Sequence, residues 1–159
     1  MPALKVCTLM GFYQLGINSA FLISQKALIV EEGRLLVLEN TADKRGGQYG
    51  WELPGGLLDL DESRADGLVR EAKEETGLDI SLGPLFAVWD FWEHNFVSAE
   101  GWLLDVRIIG LAYLCERSGG EIRLSYEHRH YRWASKDELG SLPLAQNSAT
   151  AIQKYLTQS

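Results

Sequence analysis

Glu71, Glu74 and Glu75 stand at i, i+3 and i+4, so a helix through them brings three carboxylates out on one flank. Like charges at this spacing repel, each pair costing about 0.2–0.5 kcal/mol, and a helix needing only solubility would interleave lysines there. A hard divalent cation among the glutamates offsets that cost, because Mg2+ and Mn2+ take oxygen ligands and are held by a few carboxylates plus substrate phosphates. Arg70 is placed to reach Glu74 one turn on, or to orient a neighbouring carboxylate. The competing account is a solvated acidic face, since runs of charge mostly face water.

The elements that must position these groups are signalled around them. From Glu62 to Thr76 the apolar residues Ala65, Leu68, Val69 and Ala72 and the methyl of Thr76 recur at helical spacing and predict an inward face. Asp61 is the expected N-cap and Gly77 the expected C-terminal glycine. Upstream, Trp51-Glu-Leu-Pro-Gly-Gly turns the chain into the helix: Pro54 fixes φ, and Gly55 and Gly56 allow a backbone approach that side chains would block. Before it, Phe21–Val30 and Arg34–Glu39 read as a hairpin turning at Glu31, Glu32 and Gly33, followed by an Asn40–Gly50 loop. Lys44 and Arg45 on that loop are candidates for a substrate phosphate, or solvated surface charges.

Downstream, Leu82–Trp92 and Ile108–Cys115 read as strands, and 117–121 as a turn into a further strand Ile122–Leu124. Trp89, Phe91, Trp92, His94, Phe96 and Trp102 are core or loop packing, or else offer a ring on which a nucleobase stacks, with Trp89 the candidate; aromatic stacking is worth about 1–3 kcal/mol per base in single-strand binders. In LSYEHRHYRW, residues 124–133, Glu127 and His128 form a polar patch before the strand-like Tyr131–Trp133, and Tyr131 is a second candidate substrate contact. Ser135 with Glu138 is a capping box opening a short helix, and Asn147–Leu156 is a closing amphipathic helix with Ala151, Ile152, Tyr155 and Leu156 inward.

Composition narrows the class. The 159 residues, 46% hydrophobic and 23% charged, fit one globular domain over 1–159 of α/β or α+β pattern. A net charge of −7 argues against binding a nucleic acid polymer, though a small phosphorylated ligand is still accessible through metal ions. Cys7 and Cys115 form no metal or redox spacing, which fits a reduced cytoplasmic chain, and no stretch approaches the ~20 apolar residues of a membrane span. Residues 1–18 read as a leading strand or ordered extension rather than a secretory leader, because Gln14, Gly16 and Asn18 interrupt the apolar run.

Taken together, Gly56, Glu62, Arg70, Glu71, Ala72, Glu74, Glu75, Gly77 and Leu78 fill every defined position of the Nudix box, and the chain resembles the Nudix hydrolases. That resemblance implies a mixed β-sheet sandwiched between α-helices, with the box as a loop, helix and loop at the sheet end. It implies a hydrolase cleaving the diphosphate of a nucleoside diphosphate linked to another group. Glu74 and Glu75 with the Gly55 carbonyl would hold Mg2+ or Mn2+, Glu71 would bind metal or take the proton from water, Arg70 would position Glu71, and Glu62 would close the loop or reach a further ion. Glu127, with Glu93 and Glu100 behind it, is the candidate acidic residue from beyond the box. The Leu-Ser, Glu-His and Tyr-x-Trp order in 124–133 looks like members acting on nucleoside triphosphates or diadenosine polyphosphates. Members of the family are often homodimers, though the oligomeric state is not readable from this sequence, and the family includes non-catalytic nucleotide sensors, which usually lack box glutamates that are all present here. Isoprenoid diphosphate isomerases share the architecture with an altered box and a catalytic cysteine, for which neither Cys7 nor Cys115 has a local pattern.

Overall fold

The run Ser24–Ile29 is buried at every residue, the mark of a strand covered on both faces. In the computed structural model, which describes residues 19–41, 50–98 and 101–158, it is the middle of β1 (Ser19–Glu31). β1 turns back into β2 (Arg34–Asn40) through Glu32 and Gly33, both at positive φ (49° and 74°), the geometry that matches a two-residue turn to the twist of the strands it joins. On its other edge β1 pairs in parallel with β5 (Leu103–Gly120), and β5 pairs antiparallel with β4 (Leu78–Val97). The short β3 (Trp51–Glu52) and β6 (His128–Ala134) both pair antiparallel with β2. The sheet is therefore mixed, in the order β3-β2-β1-β5-β4 with β6 beside β2.

Helices cover both faces. α1 (Arg64–Thr76) lays Leu68 and Ala72 on Ala27, Ile29, Leu36 and Leu38. α2 (Lys136–Ser141) and α3 (Gln146–Thr157) lay Leu139, Ala151 and Ile152 on Leu28, Leu35, Val37 and Leu53. Ala27, Leu28 and Ile29 alternate between the two clusters, as the period of a strand requires. The capping box at Ser135 and Glu138 is present, and α3 buries Ala151 and Ile152 with Tyr155 and Leu156 packed partly against them.

The structure corrects four local expectations. The N-cap of α1 is Ser63, not Asp61: its hydroxyl accepts from the Asp66 N–H at 3.2 Å, and the helix starts at Arg64. Ala65 consequently lies on the exposed side of the first turn. The 117–121 turn is absent, because β5 continues to Gly120 opposite Leu78. Ile122–Leu124 joins no strand ladder; the Arg123 and Ser125 N–H groups donate to the Thr76 and Glu75 carbonyls at 2.8 and 3.1 Å, satisfying acceptors that the end of α1 leaves open. Residues 1–18 and the Lys44 and Arg45 loop lie outside the described residues, as does Glu100. Among the described residues no helix is long and apolar enough to cross a membrane.

Candidate active site

Two arrays of charge meet at Gly55 and Gly56. The outer one is built on α1, whose C-terminus is fixed by Gly77 at φ 75° with its N–H on the Lys73 carbonyl. Arg70 is its hub. The guanidinium grips Glu62 through both carboxylate oxygens, at 3.0 and 2.7 Å, and reaches Glu71 at 2.8 Å and Glu74 at 3.3 Å. Glu62 in turn accepts from the Asp59 N–H at 3.0 Å, tying the loop before the helix to the same cation. The bidentate fork fits a carboxylate as an ammonium could not.

Electrostatics separate these carboxylates. The hydrogen bond from Arg70 holds the Glu62 carboxyl below the ordinary glutamate value, and Glu62 chiefly raises the Arg70 guanidinium in return. Burial pushes Glu71 the other way, and the Arg70 contact only partly offsets it. The Glu71 carboxylate lies against Gly56, where a Cβ would come within 2.7 Å of it, so this glycine leaves the space that the carboxylate occupies. A half-buried anion whose charge the surroundings disfavour, beside the exposed Glu74, is a donor set suited to a hard divalent cation.

The inner array is assembled from separate elements. Glu75, the buried member of the box, accepts from the Gly55 N–H at 2.8 Å and lies 3.9 Å from His128 Nε2. Glu52, fully buried, meets His128 at 3.0 Å, Lys26 Nζ at 2.9 Å and Asn147 Nδ2 at 2.5 Å. Lys26 also donates to the Leu53 and Gly55 carbonyls at 3.1 and 2.9 Å. One atom each from Glu52, Glu75 and His128 lie within 4.8 Å of one another.

The expected site residues are distributed unevenly. Arg70, Glu71 and Glu74 are brought together with Glu62, and Glu75 joins Gly55, whose carbonyl accepts from Lys26. Glu127 sits in the turn before β6, its carbonyl accepting from the Thr41 N–H at 2.9 Å, while the neighbouring His128 is the residue that enters the inner array. Trp89 is half-buried against the core under α3, its indole over Gly110, and Tyr131 is exposed on β6. Lys26, Glu52 and Asn147 were not among the expected residues. Two carried a signal: a lysine directly before the apolar run Ala27–Val30 of β1, and a glutamate between Trp51 and Leu53 where both neighbours are core residues.

The model of the NUDIX domain matches residues 25–155. A MutT-like protein of Streptomyces ambofaciens is 33% identical over 112 residues, which cover 70% of this chain and 62% of that protein, so the chain spans less than two thirds of that relative. The asymmetrical bis(5'-nucleosyl)-tetraphosphatase of Sus scrofa is 30% identical over 141 residues, covering 80% of this chain and 88% of that one. Among solved structures, the MutT protein from Methanosarcina mazei Go1 superimposes with a TM-score of 0.67 at 26% identity, over 88% of this chain and 93% of that one. With most of the chain matched, the mixed sheet between helices in place and the box folded as a loop, helix and loop, the protein belongs to the Nudix family.

Proposed function

We propose that the chain is a divalent-metal-dependent pyrophosphohydrolase acting on a small nucleotide. The observation that carries this reading is the outer array, in which Arg70 holds Glu62 and Glu74 beside Glu71, a half-buried carboxylate that burial disfavours as an anion. Glu71, Glu74 and Glu75 would hold Mg2+ or Mn2+, which supplies charge neutralisation at phosphoryl oxygens and a bound water of lowered pKa. Within that site Arg70 fixes the Glu71 carboxylate by a 2.8 Å contact, and Glu71 would accept the proton of the attacking water. Gly56 keeps that carboxylate close to the loop, and the bond from the Gly55 N–H to Glu75 fixes the loop to the helix. Cleavage of a phosphoanhydride asks the protein for such positioning and charge stabilisation and for little covalent chemistry.

For the substrate we favour a dinucleoside polyphosphate or a nucleoside triphosphate. The order Leu124-Ser125, Glu127-His128 and Tyr131-x-Trp133 supports this, as does similarity to a tetraphosphatase. Glu127 would contribute a further acidic group, Tyr131 and Trp89 ring contacts, and Lys44 and Arg45 phosphate contacts. The net charge of −7 favours a small substrate over a nucleic acid polymer, and cysteines without a paired spacing favour a cytoplasmic setting. The test is hydrolysis of diadenosine tetraphosphate, the nucleoside triphosphates and ADP-ribose with Mg2+ or Mn2+. Release of a mononucleotide from one of the first two classes is expected. Failure to cleave any of them, with nucleotide still raising the melting temperature, would show a binding module instead.

A further inference from the structure

At one end of the sheet the outer parts of β4 and β5 and the first residues of β1 form an arm with an apolar cluster of its own, where Leu104, Val106 and Ile108 are buried with Leu22, Phe91 and Phe96. Alternation along β5 puts Leu103, Asp105, Arg107 and Ile109 on the opposite face. Trp92 and Phe21 flank Arg107 there, and Asp90 and Ile23 flank Ile109. With one face on a cluster, the other should be polar. It is not: Phe21 is 72% exposed, and Ile23, Val88, Trp92, Val97 and Leu103 are exposed beside it. The start of α1 covers this face only up to Gln25, whose Nε2 donates to the Arg64 carbonyl at 3.0 Å, and beyond that row the side chains open to water. At about 3.3 Å per residue and about 4.8 Å between strands, residues 88–97 and the two strands beside them make a face of roughly 300–400 Å2. Contiguous apolar patches of that size mark interaction sites, which scattered exposed residues do not.

The charges on the face indicate the occupant. Arg107 meets Asp90 at 2.8 Å and lies 5.8 Å above the Trp92 ring, and His94 meets Asp105 at 3.0 Å. A face whose charges are matched within it gives no pull to a strongly charged partner such as a nucleic acid or an anionic membrane. It is, however, a place where a chain of net charge −7 can meet its own copy without repulsion. A two-fold axis sets one patch against itself, so apolar rows meet apolar rows and each Arg107–Asp90 pair meets its copy reversed, cation against anion. We propose that this face is the docking surface for a second copy of the chain, packed sheet on sheet about a two-fold axis through the Asp90 and Arg107 pairs.

Sedimentation equilibrium of the full chain over a range of concentrations tests this against the 17.8 kDa of one chain. Wild type is expected to reach twice that mass. Phe21→Glu should stay monomeric with the circular dichroism spectrum of wild type, while Tyr126→Glu, also exposed but on the turn before β6, should dimerise. Asp90→Arg and Arg107→Asp should each be monomeric alone, because each sets like charges across the axis, and an equimolar mixture of the two should recover the dimer. The pair inside each chain stays broken in that mixture, so recovery reads the contact between chains, and it does so even where Phe21→Glu fails to fold. A monomer at every concentration, a dimer that Phe21→Glu leaves intact, or a mixture that stays monomeric would overturn the proposal. If wild type is monomeric, oxidation of Phe21→Cys identifies the rival occupant: a disulfide from the new thiol to Cys7 of the same chain would give the face to residues 1–18.

Discussion

The outer and inner arrays both set glutamates around a basic side chain and meet at one glycine pair, yet they are built by opposite means. The outer array comes from one helix and the loop before it, is centred on an arginine whose partners all lie in that helix or that loop, and remains open to water. The inner one draws Lys26, Glu52, Glu75, His128 and Asn147 from β1, β3, α1, β6 and α3, and encloses its charges almost completely. An open carboxylate costs little to keep and can be turned to chemistry. A buried one must be matched bond for bond or it destabilises the fold. The difference teaches that Glu75, although it belongs to the same box as Glu71 and Glu74, is as much part of the protein's framework as of its site.

Substitutions that cut one array and spare the other test that division. The largest effect expected is Glu71→Gln, which removes the group proposed to accept the proton and should lower kcat by about 10²–10⁴-fold with the fold unchanged. Steady-state hydrolysis and circular dichroism together check it; a variant that keeps wild-type kcat would move the chemistry away from this carboxylate. Next is Glu52→Ala in the inner array. It strands the Lys26 ammonium without its carboxylate, and loss of one partner of a buried pair costs about 3–5 kcal/mol, to be read by urea unfolding. A loss below about 1 kcal/mol would mean that the pair behaves as an exposed one does, and the contrast between the arrays would fail.

The contrast also accounts for what the sequence made legible. The α1 glutamates, Arg70 and Glu62 all lie within one helix and its approach, so helical spacing and the box register determined their neighbours, and the mixed sheet between helices followed from the resemblance. Glu52 to His128 is a contact set by β2, with β3 on one side of it and β6 on the other, and no local period records which strands become neighbours. The same limit explains Ile122–Leu124: its residues are strand-like, but the open carbonyls at the end of α1 were nearer partners than any strand edge. Ser63 outranked Asp61 as cap because three residues separate it from Asp66, whose N–H and carboxylate both meet its hydroxyl. Trp89 offers a stacking ring by residue type alone, and the opposing Gly110, which makes room for that ring in the core, lies too far along the chain for spacing to connect them.

A smaller change disturbs the outer array without removing any charge. In Gly56→Ala the new methyl would stand within 2.7 Å of the Glu71 carboxylate, a flexible group that can swing aside. The fold should therefore survive while the carboxylate is displaced, and a misplacement on the order of 1 Å lowers kcat by about 10²-fold. Comparing kcat with urea stability in this variant separates positioning from folding: a large stability loss with kcat unchanged would place Gly56 in the framework instead.

The smallest effect is a difference of sign inside the outer array. Glu62 has its carboxyl lowered, first by the Arg70 hydrogen bond, so its ionised form stabilises the fold at pH values above the ordinary glutamate range, and that contribution is lost as pH falls through the lowered value. Glu71 has its carboxyl raised, first by burial, so here protonation favours the fold; stability is greater below the ordinary value and declines as pH rises toward the raised one. In metal-free protein at pH 7, Glu62→Gln should therefore lower the melting temperature and Glu71→Gln should raise it, although the two side chains touch the same guanidinium. Saturating Mg2+ should remove the advantage of Glu71→Gln, because a cation bound there favours the anion that only wild type has. Two losses of equal size would show that both glutamates serve Arg70 alike, and that the outer array is a brace with no carboxylate held in reserve for a metal.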